Sequence, residues 1–283
     1  MLDPTASSLE SKIALVTGSG SGIGRSIAET FAAHGASLVV VDRDAGLARE
    51  VASAIEGRGS ETIACVADVC TKEGVEALSE AALDRFGRVD VLVNNVGNFM
   101  PGAGPFLRSS EEDWEGLYEL NLKHVFRCTQ AFAPGMVERG SGSIINVSTV
   151  ETLRGIPFNS IYSAFKTAIT GFTRSFALEV APSGVRVNAI APETTDTSQV
   201  PVHRWIPEKY AEHIPRMIPL GRFGRPDDHA GAALFLASEL SSWVTGVTLP
   251  VDGGAIAASG FYRLASGAWT NAPIVADAGI HPD

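Results

Sequence analysis

The stretch KIALVTGSGSGIGRSIAETFAAHGASLVVVD, residues 12–42, constrains the fold more tightly than any other part of the chain. KIALVTG is a short apolar run that stops at a glycine turn, SIAETFAAHG carries apolar residues at helical spacing, and SLVVVD is again continuously apolar. Strand, tight turn, helix and buried second strand make a βαβ unit, which needs a right-handed crossover and helices to cover the sheet. The alternation continues. LAREVASAIEGRG predicts a helix, TIACVADV a strand, VEALSEAALDRFG a helix and VDVLVNN a strand; a long helical stretch, WEGLYELNLKHVFRCTQAFAPGMVE, is interrupted or bent near Pro134. GSIINVST, YSAFKTAITGFTRSFALEVA, VRVNAIAP, DDHAGAALFLASELSS and GVTLPVDGG complete a strand–helix–strand–helix–strand series. The expectation is an α/β fold: one Rossmann-like domain of three αβα layers around a mainly parallel sheet.

That domain is expected over residues 11–254, after a leader of residues 1–10 and before a tail of residues 255–283. Residues 193–219, where polar turns and prolines break up short apolar groups, read as a substrate lid or as an ordered surface insertion. In the tail, Phe261, Tyr262 and Trp269 are candidate anchors to the body or to a neighbouring subunit. With 45% hydrophobic and 19% charged residues, the 283-residue chain has enough apolar content for one substantial core. Acidic residues exceed Lys plus Arg by 32 to 22, a formal charge of -10, and no basic tract reverses that locally, so nucleic acid is not an expected partner. Cys65, Cys70 and Cys128 lack CxxC spacing and suggest a reducing compartment. MLDPTASSLESK has no secretory character and no later stretch is apolar enough to span a bilayer, so a soluble cytoplasmic protein without a membrane partner is expected.

The glycine turn is a candidate phosphate cradle. In TGSGSGIG, spanning Thr17, Gly18, Ser21, Gly22, Ile23 and Gly24, the glycines permit close approach of backbone to a pyrophosphate, and the following helix N-terminus favours its charge. Asp42 ends the second strand, where a carboxylate accepts hydrogen bonds from an adenosine ribose. A 2'-phosphate there would meet like charge, only partly offset by Arg43, so NAD is the expected cofactor. Asp68 and Val69 are candidates for the adenine pocket, with a turn cap as the alternative for Asp68. NNVG, residues 94–97, follows another strand and passes near the ribose or shapes the strand end: Asn95 is a candidate contact, while Asn94 is as well explained by structural positioning.

Tyr162 and Lys166 in YSAFK are four residues apart, on one face of a predicted helix, where an ammonium can stabilise a nearby phenolate and lower the phenol's pKa. Each motif alone is weak. Together, TGxxxGxG, NNxG, a helix-borne Asn, a hydroxyl residue before YxxxK and a strand ending in a proline bend resemble the short-chain dehydrogenase/reductase family over roughly residues 11–254. The resemblance implies NAD or NADP binding and proton exchange by a Ser–Tyr–Lys group assisted by Asn. It assigns Tyr162 as acid/base, Lys166 as its electrostatic partner and ribose binder, and Asn121 as proton-relay support. The family interval of thirteen residues before Tyr162 lands on Thr149, where serine is usual; Ser148 is the reserve, and strand alternation turns the two side chains opposite ways. In APETTDTS the family's usual proline–glycine pair is Pro192–Glu193; Pro192, Thr195 and Thr197 are implied at the nicotinamide end, and Glu193 carries no assigned role.

His34, His124, His203, His213, His229 and His281 form no compact ligand series, so no catalytic metal is expected. There is no GxSxG of a serine hydrolase. The expected activity is NAD-dependent, reversible interconversion of a secondary alcohol and a ketone. Phe99, Phe106, Phe158, Trp205 and Ile206 suggest a hydrophobic, cyclic or aromatic small molecule, or else core or oligomer packing. A 3-oxoacyl-thioester reductase and a noncatalytic nucleotide-binding scaffold are the alternatives. The resemblance also implies a homotetramer, with a dimer as the other option.

Overall fold

The computed structural model describes residues 3–205, 211, 213–264, 266–267 and 269–270. Seven parallel strands form one sheet in the order β3-β2-β1-β4-β5-β6-β7. They are β1 (Ile13–Thr17), β2 (Ser37–Asp42), β3 (Thr62–Val66), β4 (Val91–Asn94), β5 (Gly142–Val147), β6 (Val185–Pro192) and β7 (Thr248–Val251). β1 and β4 are buried at every position, as expected of strands covered on both faces. β1 pairs with β2 on one side, Leu15 beside Val39, and with β4 on the other, Leu15 beside Leu92. Strand order therefore reverses at β1/β4, and the crevice for a ligand opens beyond the carboxyl ends of these strands.

Two hydrophobic layers hold the sheet. On one face α1 (Gly22–Ala33), α2 (Ala45–Glu56) and α9 (Pro226–Ala237) bury Ile27, Phe31, Ile55 and Leu236 against Val16, Val40 and Val93. On the other, α3 (Lys72–Phe86), α5 (His124–Arg139) and α6 (Ser160–Val180) bury Leu78, Phe132, Met136 and Ala177 against Leu15, Leu92 and Ile144. The alternation of side chains along each strand feeds the two layers in turn.

The long helical stretch differs from its expected form. It begins as α4 (Glu111–Tyr118), capped by Ser110 and Asp113, widens into a π turn at Glu119–Lys123, and resumes as α5. The irregularity lies at Asn121, whereas Pro134 sits inside α5. Asn121 Nδ2 donates to the Leu117 and Asn98 carbonyls, and its Oδ1 accepts from Asn98 N, so this side chain competes with the helical ladder and ties it to the loop after β4.

Within residues 193–219, α7 (Val202–Trp205) and α8 (Ile214–Met217) are short helices, and Val202 and Ile218 pack with Phe223 and Ala255 in a small apolar cluster. In the tail, β8 (Tyr262–Arg263) pairs antiparallel with β9 (Trp269–Thr270). Phe261 and Tyr262 remain about half exposed, 51% and 45%, while β8 lies against α8. The side chain of Trp269 and residues 271–283 lie outside the described residues. Among the described residues no helix is long and apolar enough to cross a membrane, and no group of His, Cys, Asp and Glu is arranged to hold a metal ion.

Candidate active site

A cavity of about 500 Å³ opens at the carboxyl ends of the strands. Gly18, Ser21, Gly22, Ile23, Asp42 and Arg43 line one end, with Asp68 and Val69 beside them; Asn95 lies midway; Thr149, Tyr162, Lys166, Pro192, Thr195 and Thr197 line the remainder. Thr17, Gly24 and Asn121 stand behind that wall rather than in it.

The glycine turn is held from three sides. Gly18 and Gly22 adopt φ of 64° and 55°, the left-handed region that favours glycine. A Cβ on Gly24 would sit 2.3 Å from the Gly18 carbonyl oxygen. Asn95 Nδ2 donates to the carbonyls of Thr17 and Gly18 at 2.9 and 3.2 Å, while the Thr17 hydroxyl oxygen accepts from Asn95 N at 3.0 Å. Asp42 Oδ2 accepts from Gly20 N at 3.0 Å and Oδ1 from Asp44 N at 3.0 Å, which fixes the carboxylate at the end of β2 beside the cavity. Asp68 Oδ1 accepts from Cys70 N, so the cap and the cavity wall are one residue. This cradle fits a dinucleotide: the glycines would leave room for a pyrophosphate at the N-terminus of α1, and Asp42 would offer acceptor atoms to a ribose.

Asn94 lies outside the cavity. Its Nδ2 donates to Asn146 Oδ1 at 2.9 Å and Thr129 Oγ1 at 3.3 Å, linking β4, β5 and α5 through the core, and this is the structural positioning left open by its sequence.

At the other end, β5 and α6 bring Thr149, Tyr162 and Lys166 together. The Thr149 hydroxyl stands close enough to the Tyr162 phenol to favour its ionised form, and its oxygen accepts from Glu151 N, capping a 3-10 turn over Val150–Thr152. Ser148, which also borders the cavity, donates to the Lys166 carbonyl at 3.2 Å, so its hydroxyl has a different partner from that of Thr149. Lys166 is only 3% exposed; its Nζ donates to the Val147 carbonyl at 2.9 Å and lies 5.9 Å from the Tyr162 ring centre. Gly97 has no side chain because a Cβ there would meet Lys166 Nζ at 2.7 Å and Asn121 Oδ1 at 3.1 Å.

Burial lowers the Lys166 ammonium to about 8. It also pushes the Tyr162 phenol well above its ordinary value, the nearby Thr149 hydroxyl opposing and the Glu151 charge adding to the rise. The lowered phenol expected from the sequence is therefore not what this geometry gives: desolvation outweighs an ammonium whose hydrogen bond goes to Val147.

Other expected residues divide. Phe99 lines the cavity and meets Tyr162 edge-on at 6.0 Å. Phe106 instead stacks on Trp114, and Phe158 is 63% exposed at a positive φ of 65°. Ile206 and the Trp205 side chain lie outside the described residues. Thr197 packs over Gly22 and its hydroxyl accepts from Val200 N. Thr195 borders the cavity, but its hydroxyl donates to the Glu193 carbonyl at 2.7 Å, so the buried His229 must donate Nε2–H to it at 2.6 Å.

Sequence reasoning missed Glu151 and Arg154, and left Glu193 without a role. Arg154 Nη2 lies 3.0 Å from Glu151 Oε1 and 2.6 Å from Glu193 Oε2, a bridge between the loop after β5 and the loop after β6. The three-residue spacing of Glu151 and Arg154 was readable; the reach to Glu193 was not.

This joining of a dinucleotide cradle to a hydroxyl–Tyr–Lys group on a parallel sheet defines an oxidoreductase class, and the chain belongs to the short-chain dehydrogenase/reductase family. A family model described as enoyl-(acyl carrier protein) reductase matches residues 18–255. Among similar proteins, 3-oxoacyl-(acyl-carrier-protein) reductase FabG of Thermotoga maritima is 38% identical over 248 residues, 88% of this chain and 99% of the relative. 3beta-Hydroxysteroid dehydrogenase 1 of Eggerthella lenta is 40% identical over 260 residues, 89% of this chain and 97% of the relative. A solved 7alpha-hydroxysteroid dehydrogenase, complexed with NADH and 7-oxo glycochenodeoxycholic acid, superposes with a TM-score of 0.83 at 35% identity, covering 90% of this chain and 98% of that one.

Proposed function

We propose that this protein is an NAD-dependent oxidoreductase that interconverts a secondary alcohol and a ketone on an apolar, cyclic or aromatic small molecule. The observation that carries the reading is Thr149 and Tyr162 beside the buried Lys166, in the same cavity as the glycine turn and Asp42. A bound nicotinamide would supply or accept the hydride. The chain handles the proton and the geometry. For reduction, the Tyr162 phenol, kept protonated by burial, donates its proton to the developing alkoxide, and Thr149 holds the substrate oxygen. For oxidation the phenol must first release that proton to solvent, which the Lys166 charge favours, and the phenolate then takes the substrate's hydroxyl proton. Asn121 fixes the loop at Asn98 against which Lys166 packs. Phe99, Leu120 and Ile156 give the reacting end an apolar wall. NAD over NADP rests on the Asp42 carboxylate, with Arg43 the nearest offset. A homotetramer is part of the proposal and is checked by mass measurement in solution.

The test is NADH formation from NAD with a panel of cyclic and aryl secondary alcohols, using purified wild type and Tyr162→Phe. Turnover should fall at least about a hundredfold in the variant, the scale of one general acid/base, with NADH affinity retained; near-normal turnover in the folded variant overturns the assignment. A second reading, 3-oxoacyl-thioester reduction, is favoured by the FabG relative. Preference for matched acyl thioesters over free ketones, with NADPH as reductant, would select it.

A further inference from the structure

Two carboxylates stand in the cavity wall near Thr149 and Tyr162, where Phe99, Leu120 and Ile156 supply its apolar part. Glu151 follows Thr149 by two residues, Glu193 ends the β6 bend, and both line the cavity beside Tyr162. The Glu193 side chain is 3% exposed; its Oε1 accepts from Thr194 N and Thr194 Oγ1, while its Oε2 meets the Arg154 guanidinium but accepts no aligned hydrogen bond. Arg154 also donates to both oxygens of Glu151, Nε to Oε2 at 3.3 Å and Nη2 to Oε1 at 3.0 Å. One guanidinium between two carboxylates leaves a net negative charge. It also fixes the Glu151 carboxylate, and each oxygen keeps a further lone pair. A carboxylate held rigidly in a cavity wall is a strong acceptor and repels anions.

We propose that Glu151, oriented by Arg154 and Glu193, is a specificity-determining residue that accepts a hydrogen bond from a second donor on the substrate, a hydroxyl group on the same apolar ring system, and rejects anionic substituents there. This rests on the alcohol–ketone reading given above and narrows it. The substrate class is a cyclic diol or hydroxyketone whose second hydroxyl reaches Glu151 while the reacting oxygen lies between Thr149 and Tyr162.

The experiment measures binding apart from turnover. Cyclohexanol and its hydroxy, amino and carboxy derivatives, in all positional isomers, are titrated calorimetrically into wild type, Glu151→Gln and Arg154→Met, with and without NADH; alcohol and NADH cannot react with each other. In wild type at least one diol and one amino alcohol should bind about tenfold or more tightly than cyclohexanol, and the carboxylates more weakly than cyclohexanol. Glu151→Gln should shrink the ratio of amino to carboxy affinity at least about tenfold. Arg154→Met, which frees the carboxylate, should loosen the preference among positional isomers. Equal affinities across substituents, no binding by any member, or an unchanged ratio in Glu151→Gln overturns the inference and leaves the three residues as a clamp between loops. Turnover of the same compounds with NAD is scored separately: selective binding without turnover overturns the alcohol–ketone reading and leaves the Glu151 assignment standing.

Discussion

Replacing Gly24 by Ala tests whether the glycine cradle is a packed object. Gly24 is the third residue of α1, and in a helix Gly→Ala ordinarily stabilises by up to about 1 kcal/mol. Here the new methyl would lie 2.3 Å from the Gly18 carbonyl oxygen and 2.5 Å from Asn95 Nδ2. The first of these is backbone, so relief requires moving the turn, and overpacking of this kind costs roughly 1–3 kcal/mol. Taking the upper end, the net effect is a loss of about 2 kcal/mol, or about 5 °C in Tm for a domain of this size. Gly116 is the control: it is exposed within α4, and a Cβ there meets nothing within 4 Å. Gly116→Ala should raise Tm by about 1–2 °C. The same substitution thus changes sign between two helices. NADH affinity, by fluorescence titration, should fall at least about tenfold in Gly24→Ala because the Gly18 carbonyl and Asn95 amide shift together, and stay unchanged in Gly116→Ala. Equal Tm shifts with equal NADH affinity would refute the argument.

Two further outcomes follow from the same geometry. Thr149→Ala should lower kcat about a hundredfold or more, whereas Ser148→Ala, which loses a hydrogen bond to the Lys166 carbonyl, should cost stability of about 1 kcal/mol and little kcat; steady-state kinetics beside thermal melts separates them. Burial holds His229 at about 4, against 6.5 when unfolded. Between those values the unfolded chain binds a proton that the folded chain refuses. Stability should therefore be fully present above pH 6.5 and fall by about 3 kcal/mol as pH drops through about 4, and urea melts of His229→Gln should show a shallower acid limb.

Much of this was legible in the chain because it is local. The run from Lys12 to Asp42 contains both the strand–turn–helix geometry and the acidic residue that grips Gly20, and the positions of Thr149 and Tyr162 follow from spacing on a strand end and a helix start. What escaped is what depends on distant partners. The apolar period runs unbroken through ELNLK, so nothing local announces the π turn; it exists because Asn121 bonds to Asn98 in another loop. The height of the Tyr162 pKa escapes the sequence because pairing with Lys166 is visible there and burial is not. The bridge from Arg154 to Glu193 joins two loops that meet only after β5 and β6 pair. Phe99, Phe106 and Phe158 look alike in sequence, though of the three only Phe99 borders the cavity.

The seam between β1 and β4 also sets an order of events during folding. Residues 13–66 hold β1, β2 and β3, which pair successively and can assemble as soon as they emerge. The other flank of β1 waits for Val91–Val93, a contact across a long stretch of chain and thus slow to close. Asn95, which follows β4 directly, clamps the carbonyls of Thr17 and Gly18. The glycine turn is thus written near the beginning of the chain but takes its working shape only when that later strand docks, so a ribosome-bound fragment ending before it would carry the motif without the cradle.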